Sequence, residues 1–177
     1  RNPASRFAAL RASKDPQAKF LWAIFRDVFH YAAVQLESIA DNARDVDLAM
    51  RWGFGWAQGP FEIWQSAGWA DIARAIAADI AAGETMSDTP LPAWVLEDRE
   101  GVHTPQGSWS PRRKAYVPRS ALPVYQRQLF QEAVLGDGSL SPEQSGETLF
   151  ENDGVRLWRL PAVDAGIGIL SFKSKMH

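Results

Sequence analysis

The sequence predicts a mainly α-helical protein whose second half changes to short extended pieces. Apolar residues recur at three- and four-residue steps between residues 17 and 82, as in amphipathic helices. After residue 83 this periodicity stops, and eight of the eleven prolines lie from Pro90 onward. Near the C-terminus, two alternating runs flank Asn152-Asp153-Gly154, a pattern typical of a β-hairpin. We therefore expect a small helical domain, a proline-rich irregular segment and a few short strands.

Composition excludes several functional classes. The 177 residues carry a net charge of −2, so no global field favours nucleic acid or an anionic membrane surface. Cysteine is absent, which excludes disulfides, thiolate metal sites and a cysteine nucleophile. No apolar run approaches the ~20 residues of a membrane-spanning helix. Since the sequence has neither cysteine nor a signal-peptide pattern, we expect a cytoplasmic protein with no nucleic-acid or membrane partner. The start at Arg1 indicates a piece of a larger protein.

Four helices are predicted in the first half. Residues 1–16 read as a lead-in segment with one short helical turn. A long helix covers residues 17–40, and its apolar stripe is widened by aromatic residues, so we expect it to be buried on more than one side. The residues that widen the stripe are Phe20, Phe29, Tyr31 and Val34. A short helix over 43–51 is capped by Asp41 or Asn42. A third helix runs from Pro60 to residue 67, where Gly68 stops it, and a fourth covers residues 70–82.

The bend between the short helix and the third helix is rich in glycine and aromatic residues. Gly53, Gly55 and Gly59 supply backbone freedom. Large apolar side chains surround them: Trp52, Phe54, Trp56, Phe61 and Trp64. This combination predicts a tight corner packed against other elements, with the tryptophans as core or interface anchors.

The second half is predicted in less regular pieces. Residues 102–104, 108–110 and 115–117 form either short strands or an irregular wrap. A brief helix is expected over 125–134 and a flexible loop over 136–146. The hairpin is followed by a third strand over 166–175. The chain thus divides into residues 1–16 (lead-in), 17–83 (helical domain), 84–146 (proline-rich linker or wrap) and 147–177 (hairpin and further strand).

Two clusters in the first half suggest chemistry but favour a structural interpretation. The spacing of Gly53, Gly55 and Gly59 is G-x-G-x-x-x-G after a helix rather than a strand, so a packing bend is preferred to a dinucleotide loop. Asp41, Asp45 and Asp47 resemble an acidic cluster. Residues two apart on a helix do not face each other, and acidic groups are favourable near a helix N-terminus, so helix capping is preferred to a metal or acid–base site.

The histidines and a basic cluster complete the candidates. His30 lies on the long helix and is interpreted as a core or interface imidazole; His103 and His177 have no evident partner, so no metal site is expected. The basic cluster, beside Trp109 and Tyr116, is the candidate substrate-binding group: Arg112, Arg113, Lys114 and Arg119. Such a cluster can hold a phosphate group or a nucleic-acid backbone, but a solvated linker face is preferred.

Residues 20–82 resemble the helical C-terminal domain of 3-hydroxyacyl-CoA dehydrogenases. The family pattern is a long helix, then D-[IV]-D-x-A-M-x-x-G, a glycine bend and G-P-F-E. The matching residues are Asp45, Val46, Asp47, Ala49, Met50, Gly53, Gly59, Pro60, Phe61, Glu62 and Gly68. The resemblance implies the fold of the 6-phosphogluconate-dehydrogenase C-terminal-like domains, with these residues as its scaffold.

The C-terminal tail carries a second resemblance. Residues 169–177 are similar to the first strand of an enoyl-CoA hydratase (crotonase) domain. Together the two resemblances imply the central fragment of a bacterial multifunctional fatty-acid oxidation protein. Its partners would be the remainder of the parent chain: a nucleotide-binding domain, a catalytic helical repeat and a crotonase domain. NAD is implied for the parent.

Departures from the family pattern argue against catalysis in this fragment. The glycine-rich nucleotide-binding turn and the catalytic His–Glu pair are missing. Where a catalytic repeat carries asparagine followed by arginine, this sequence has Trp22 and Ala23. We therefore expect a non-catalytic second repeat with no catalytic, cofactor-binding or metal-binding residue, which packs against the catalytic repeat. The alternatives are a self-associating interaction module, or a contribution to CoA binding by the basic cluster.

Overall fold

The computed structural model describes residues 2–126, 128, 132–161 and 163–173. The chain forms two compact units, each described by itself. The helical unit comprises Arg1–Arg119 and Val134–Gly138, and the sheet unit comprises Ser120–Ala133 and Ser139–His177. The mainly α-helical class is confirmed, with short antiparallel strands in both units.

The helical unit contains five helices. Their bounds are α1 Pro3–Ala12, α2 Pro16–Ile39, α3 Ala43–Phe54, α4 Pro60–Ala81 and α5 Ala93–Leu96. Side-chain oxygens of Asn2, Asp15 and Asn42 accept backbone N–H groups at the starts of α1, α2 and α3, as expected of N-cap residues. The lead-in segment is a full ten-residue helix rather than one turn, because Phe7 packs edge-on against Phe25 at 5.1 Å between ring centroids.

The third and fourth predicted helices follow each other directly across a kink and together make up α4. Gly68 lies inside α4 with φ 100° and ψ 92°, a conformation that residues with a side chain rarely adopt. The prediction that Gly68 interrupts the helix is confirmed. The prediction that it separates two helical segments is also confirmed, since helical structure resumes on its far side.

Stacked aromatic rings form the core between α2 and α4. Phe29 stacks on Trp64 at 5.5 Å between centroids, and Trp64 stacks on Trp69 at 4.2 Å. Both indoles are fully buried yet satisfied: Trp64 Nε1 donates to the Trp69 carbonyl, and Trp69 Nε1 donates to the Val95 carbonyl, each at 3.1 Å. The core therefore buries large aromatic rings without leaving an indole N–H group of either residue unsatisfied.

Four of the predicted packing residues are exposed instead. Trp52 and Phe54 are 67% and 74% exposed, so they do not pack into the corner. Phe20 and Tyr31 are 66% and 67% exposed. At 100° per residue these two lie opposite the buried Phe29 on α2, so α2 has an outward apolar face that the helical unit does not bury.

Short strands complete the helical unit. The strands β1 His103–Thr104, β2 Gly107–Ser110 and β3 Ala115–Val117 form an antiparallel sheet in that order. His103 pairs with Ser108, and Trp109 pairs with Tyr116. Of the two alternatives left by the sequence, the strands are therefore confirmed.

Among its described residues, the sheet unit has two single-turn helices and three strands. These are α6 Pro123–Gln126, α7 Pro142–Ser145, β4 Glu147–Glu151, β5 Val155–Leu160 and β6 Asp164–Phe172. The strands are antiparallel in sequential order. Asn152 Oδ1 accepts from the N–H groups of Gly154 and Val155, both at 2.9 Å, which confirms the predicted hairpin turn.

Some predictions in this half differ from the structure or fall outside it. The helix expected over 125–134 is limited to α6 among the described residues, and part of that range lies outside them. The loop over 136–146 contains α7, whose first turn Ser141 and Gln144 close by reciprocal capping. The end of the third strand, residues 174–175, also lies outside the described residues. Within the described ranges, no helix is long and apolar enough to cross a bilayer.

Replacing Gly68 with alanine tests the kink. No atom lies within 4 Å of a Cβ added there, so the cost is backbone strain alone, and we expect the free energy of unfolding to fall by about 1–3 kcal/mol. The matched control is Gly53→Ala in α3, where φ is ordinary and a Cβ also meets nothing within 4 Å. That substitution should stabilise by about 0.5–1 kcal/mol. Urea denaturation measures the free energy of unfolding of both variants. Equal changes in the two would contradict backbone strain at residue 68.

Candidate functional site

The bend is organised by Asp47, which caps a helix other than its own. Its side chain, on α3, is fully buried. It accepts hydrogen bonds from the backbone N–H groups of Phe61 at 2.8 Å and Glu62 at 3.2 Å, in the first turn of α4. The N-cap residue of α4 is Gly59, which has no side chain to do this. A Cβ on Gly59 would lie 2.2 Å from Asp47 Oδ1, so only glycine fits there.

Glu62 completes the cap from the other side. Its Oε2 accepts from the Gly59 N–H at 2.8 Å, and its Oε1 accepts from the Leu135 N–H at 2.9 Å. Arg51 Nη1 lies 3.6 Å from the same carboxylate. Glu62 is 2% exposed, and a buried carboxylate needs such partners. Asp47 and Glu62 therefore satisfy the free donors at the start of α4 and also hold residue 135.

His103 joins this cap to the strands. His103 Nε2 lies 2.6 Å from Asp47 Oδ2, and Nδ1 lies 2.8 Å from Ser108 Oγ. Because a carboxylate only accepts, Nε2 carries the hydrogen; in the neutral imidazole, Nδ1 then accepts from the Ser108 hydroxyl. Burial raises the pKa of Asp47, and the hydrogen bond from His103 opposes that rise.

Hydrogen bonds link Ser108, His103 and Asp47 in the order found in hydrolase catalytic triads, but these three side chains are enclosed. Ser108 is 0% exposed, His103 2% and Asp47 0%. Ser108 also lies on the middle strand of its sheet. A nucleophile must reach a substrate carbonyl, and this hydroxyl reaches only the imidazole. The hydrogen bonds from Ser108 through His103 to Asp47 therefore hold β1 and β2 against the helices.

The Gln65 side chain binds the backbone of the segment that contains His103. Its Oε1 accepts from the N–H groups of Val102 and His103, and its Nε2 donates to the His103 carbonyl, all at 2.9 Å. Gly101 and Gly136 pack so closely on this side chain that a Cβ on either would lie 2.1–2.2 Å from it. The amide thus aligns β1 on α4 with three hydrogen bonds.

His30 holds an earlier part of the proline-rich segment. Its ring is 3% exposed, and its Nε2 lies 2.7 Å from the Thr89 carbonyl oxygen. Since a carbonyl only accepts, Nε2 carries the hydrogen. The prediction of a core imidazole is confirmed, and like His103 it fastens the segment after α4 to the helices.

Asp41, Asp45 and Asp47 do not form one site, in keeping with the preference for helix capping. Asp41 is exposed, Asp45 accepts from Asn42 Nδ2 at 2.9 Å, and Asp47 turns inward. Burial raises the pKa of Asp45. Across the described residues, no group of three or more histidine, aspartate or glutamate side chains could hold a metal ion. The cap of α3 is Asn42, not Asp41.

The basic cluster is spread over different partners. Arg112 Nη2 donates to the Glu37 carbonyl at 2.8 Å at the end of α2 and lines an open cleft of about 550 Å³ beside α3. Arg119 donates to Asp137 Oδ2 through Nε at 3.0 Å and Nη2 at 2.9 Å. Arg113 and Lys114 are exposed. The CoA-binding role of these four residues stays a prediction.

Trp22 makes a helix-to-helix contact. Its Nε1 donates to Asp79 Oδ2 at 2.9 Å, and Arg26 Nη1 donates to the same oxygen at 3.3 Å. The Arg11 guanidinium lies 5.4 Å from the centroid of the indole. This position therefore joins α2 to α4.

Replacing His103 tests the role of the buried hydrogen bonds among Asp47, His103 and Ser108. We expect His103→Phe to lower the free energy of unfolding by about 3 kcal/mol, because the Asp47 carboxylate stays buried without its side-chain donor. Ser108→Ala is the matched control and should cost about 1 kcal/mol, the value of one neutral hydrogen bond. Urea denaturation measures both, and a loss below that of Ser108→Ala would contradict the assignment.

The loss of unfolding free energy caused by His103→Phe should depend on pH. Without the imidazole donor, burial raises the pKa of Asp47 further above its unfolded value of about 4. A raised pKa means that the folded state keeps a proton that the unfolded state releases, so the associated stability is present at acid pH and is lost as pH rises. The deficit relative to wild type should shrink from pH 7 towards pH 4. A deficit that grows on acidification would contradict the argument.

Comparisons with known proteins give one partial match. No family profile matches the chain, and no solved structure matches it. A probable 3-hydroxyacyl-CoA dehydrogenase of Bacillus subtilis (strain 168) is 33% identical to this chain over 93 residues. The match covers 52% of this chain and 11% of that protein. It supports a relationship with 3-hydroxyacyl-CoA dehydrogenases.

Proposed function

We propose that this chain is a non-catalytic, central part of a 3-hydroxyacyl-CoA dehydrogenase that works in fatty-acid β-oxidation. The parent would oxidise 3-hydroxyacyl-CoA with NAD in the cytoplasm, and a crotonase domain would hydrate enoyl-CoA. The helical unit, with a fold like the 6-phosphogluconate-dehydrogenase C-terminal domains, would pack against the catalytic repeat. The relative of 33% identity supports the dehydrogenase parent.

A scaffold role is supported by the hydrogen bonds of Asp47 and Glu62, the two buried acidic residues of the family motif. Asp47 on α3 and Glu62 in the first turn of α4 both accept hydrogen bonds from backbone N–H groups at the start of α4. Neither has a side that is open to a substrate, since they are 0% and 2% exposed. Trp22, which replaces the family's asparagine, donates to Asp79 on α4 in a part-buried contact. These contacts support packing rather than chemistry.

Two measurements test this proposal. The separate chain should bind no NAD and oxidise no 3-hydroxyacyl-CoA, so calorimetric titration and an NADH absorbance assay should both be null. Micromolar NAD affinity would defeat the proposal. In the longer protein, Trp22→Phe should leave kcat/KM unchanged, because the indole N–H serves only α2–α4 packing.

In the separate chain, Trp22→Phe should lower the free energy of unfolding by about 1 kcal/mol, the value of one hydrogen bond. Tyr31→Phe, an exposed aromatic on the same helix, is the control and should change neither quantity. A large loss of kcat with unchanged stability would mean that Trp22 acts in catalysis.

Self-association is a second candidate function, favoured by the outward face of α2. Phe20, Tyr31 and Ile39 are 66%, 67% and 60% exposed. Exposed apolar side chains that cluster on a protein surface commonly mark an interaction site. A symmetric pair of chains would bury it.

Sedimentation over a concentration series tests self-association. The wild-type chain should shift towards dimer, and the double variant Phe20→Asp/Tyr31→Asp should stay monomeric, because charge is costly in an apolar interface. Met86→Asp, at a residue 90% exposed and outside α2, should behave like wild type. A monomeric wild type at high concentration would refute this candidate.

The basic cluster remains the third candidate. Titration of CoA into wild type and the Arg112/Arg113/Lys114 alanine variant compares its contribution directly. Weaker binding by the variant is expected, because phosphates are held by charge-assisted hydrogen bonds. Identical null heats would end the proposal.

A further inference from the structure

An arginine lies inside an aromatic cluster at the edge of the helical unit. The Arg99 guanidinium carbon is 3.8 Å from the centroid of the Trp109 ring and 5.9 Å from that of Trp94. Tyr116 meets Trp109 edge-on at 5.4 Å between centroids. The Tyr116 hydroxyl donates to the Gly101 carbonyl at 3.0 Å, which fixes this wall in place.

The cluster offers aromatic faces but leaves donors unmatched. Arg99 Nη2 pairs with Glu97. Its Nε and Nη1, and the Nε1 of Trp109, are buried with no hydrogen-bond partner among the described residues. The Arg99 side chain is only 8% exposed. Burial of N–H groups without acceptors is costly, so a guanidinium is a poor chemical match to the place that it occupies.

We propose that Trp94, Trp109 and Tyr116 form a binding site for a quaternary ammonium group, which Arg99 occupies as an internal substitute. A quaternary ammonium carries no N–H group, so a site without acceptors leaves none of its atoms as an unsatisfied donor. Its positive charge is attracted to the aromatic faces that already hold Arg99. The site is separate from the buried Asp47–His103–Ser108 chain and does not depend on the dehydrogenase proposal.

The surrounding charge also suits a cation. Three acidic residues flank Arg99 in the sequence and are exposed: Glu97, Asp98 and Glu100. Once Arg99 leaves the aromatic faces, the Glu97 carboxylate can follow it or face the incoming cation. A carboxylate or phosphate ligand would instead meet these three negative charges, so the surroundings select against anions.

Choline is a suitable probe, and its neutral isostere 3,3-dimethyl-1-butanol is the control ligand. Binding is followed by tryptophan fluorescence and by the indole N–H signals in NMR spectra. Wild type must displace Arg99 before it binds, whereas Arg99→Ala opens the site. We expect Arg99→Ala to bind choline about tenfold more tightly than wild type, the scale of a desolvated cation–π contact. The neutral isostere should bind Arg99→Ala at least about fivefold more weakly than choline does.

Two control variants localise the effect. Arg113→Ala, at an exposed arginine outside the cluster, should bind choline like wild type. Trp109→Leu in the Arg99→Ala background should abolish binding, because it removes the central face. Circular dichroism of every variant confirms folding.

Equal affinity for choline and the isostere, or no choline binding by folded Arg99→Ala, would overturn the proposal. Should Arg99→Ala fail to fold, wild type still provides the test. High choline concentrations must then shift the Trp109 indole signal before those of Trp22 and Trp158. The absence of a selective shift would overturn the proposal.

Discussion

The helical unit depends on one buried carboxylate. Asp47 satisfies two backbone N–H groups at the start of α4 and accepts from His103 as well. A carboxylate without such partners would be costly to bury. Helix α3, the start of α4 and the first strand are consequently interdependent, because Asp47 on α3 accepts hydrogen bonds from both of the others.

This interdependence explains why the segment after α4 belongs to the helical unit. Gln65 holds residues 102 and 103, Glu62 holds residue 135, and His30 holds residue 89. Each of these contacts joins a polar side chain of a helix to the backbone of the proline-rich segment. A segment poor in regular structure must satisfy its backbone groups elsewhere, and here the helices supply the partners.

The sequence was sufficient for the elements whose signals are local. The stripe on α2, the glycine that interrupts α4 and the Asn152 turn were each predicted from a few neighbouring residues. The cap of α4 was harder, because Asp47 lies fourteen residues before Phe61. A glycine N-cap followed by Pro60 indicates that the helix needs a cap from elsewhere, but many acids could supply it.

Long-range pairing and exposure were beyond local patterns. His103 had no evident partner in the sequence, since Asp47 is 56 residues away. Trp52 and Phe54 looked like core residues, because residue type alone does not say which side of a bend faces solvent. The outward face of α2 shows the same limit: its apolar stripe was visible, but not which part of it the unit covers.

A double-mutant cycle between Asp47 and His103 tests the central claim most directly. Asp47→Asn, His103→Gln and the double variant are compared with wild type by urea denaturation, and the non-additivity gives the coupling free energy. The buried, charge-assisted contact predicts coupling of about 2 kcal/mol or more. Additive effects, with coupling within about 0.5 kcal/mol of zero, would contradict the claim that this pair unites the helices and the strands.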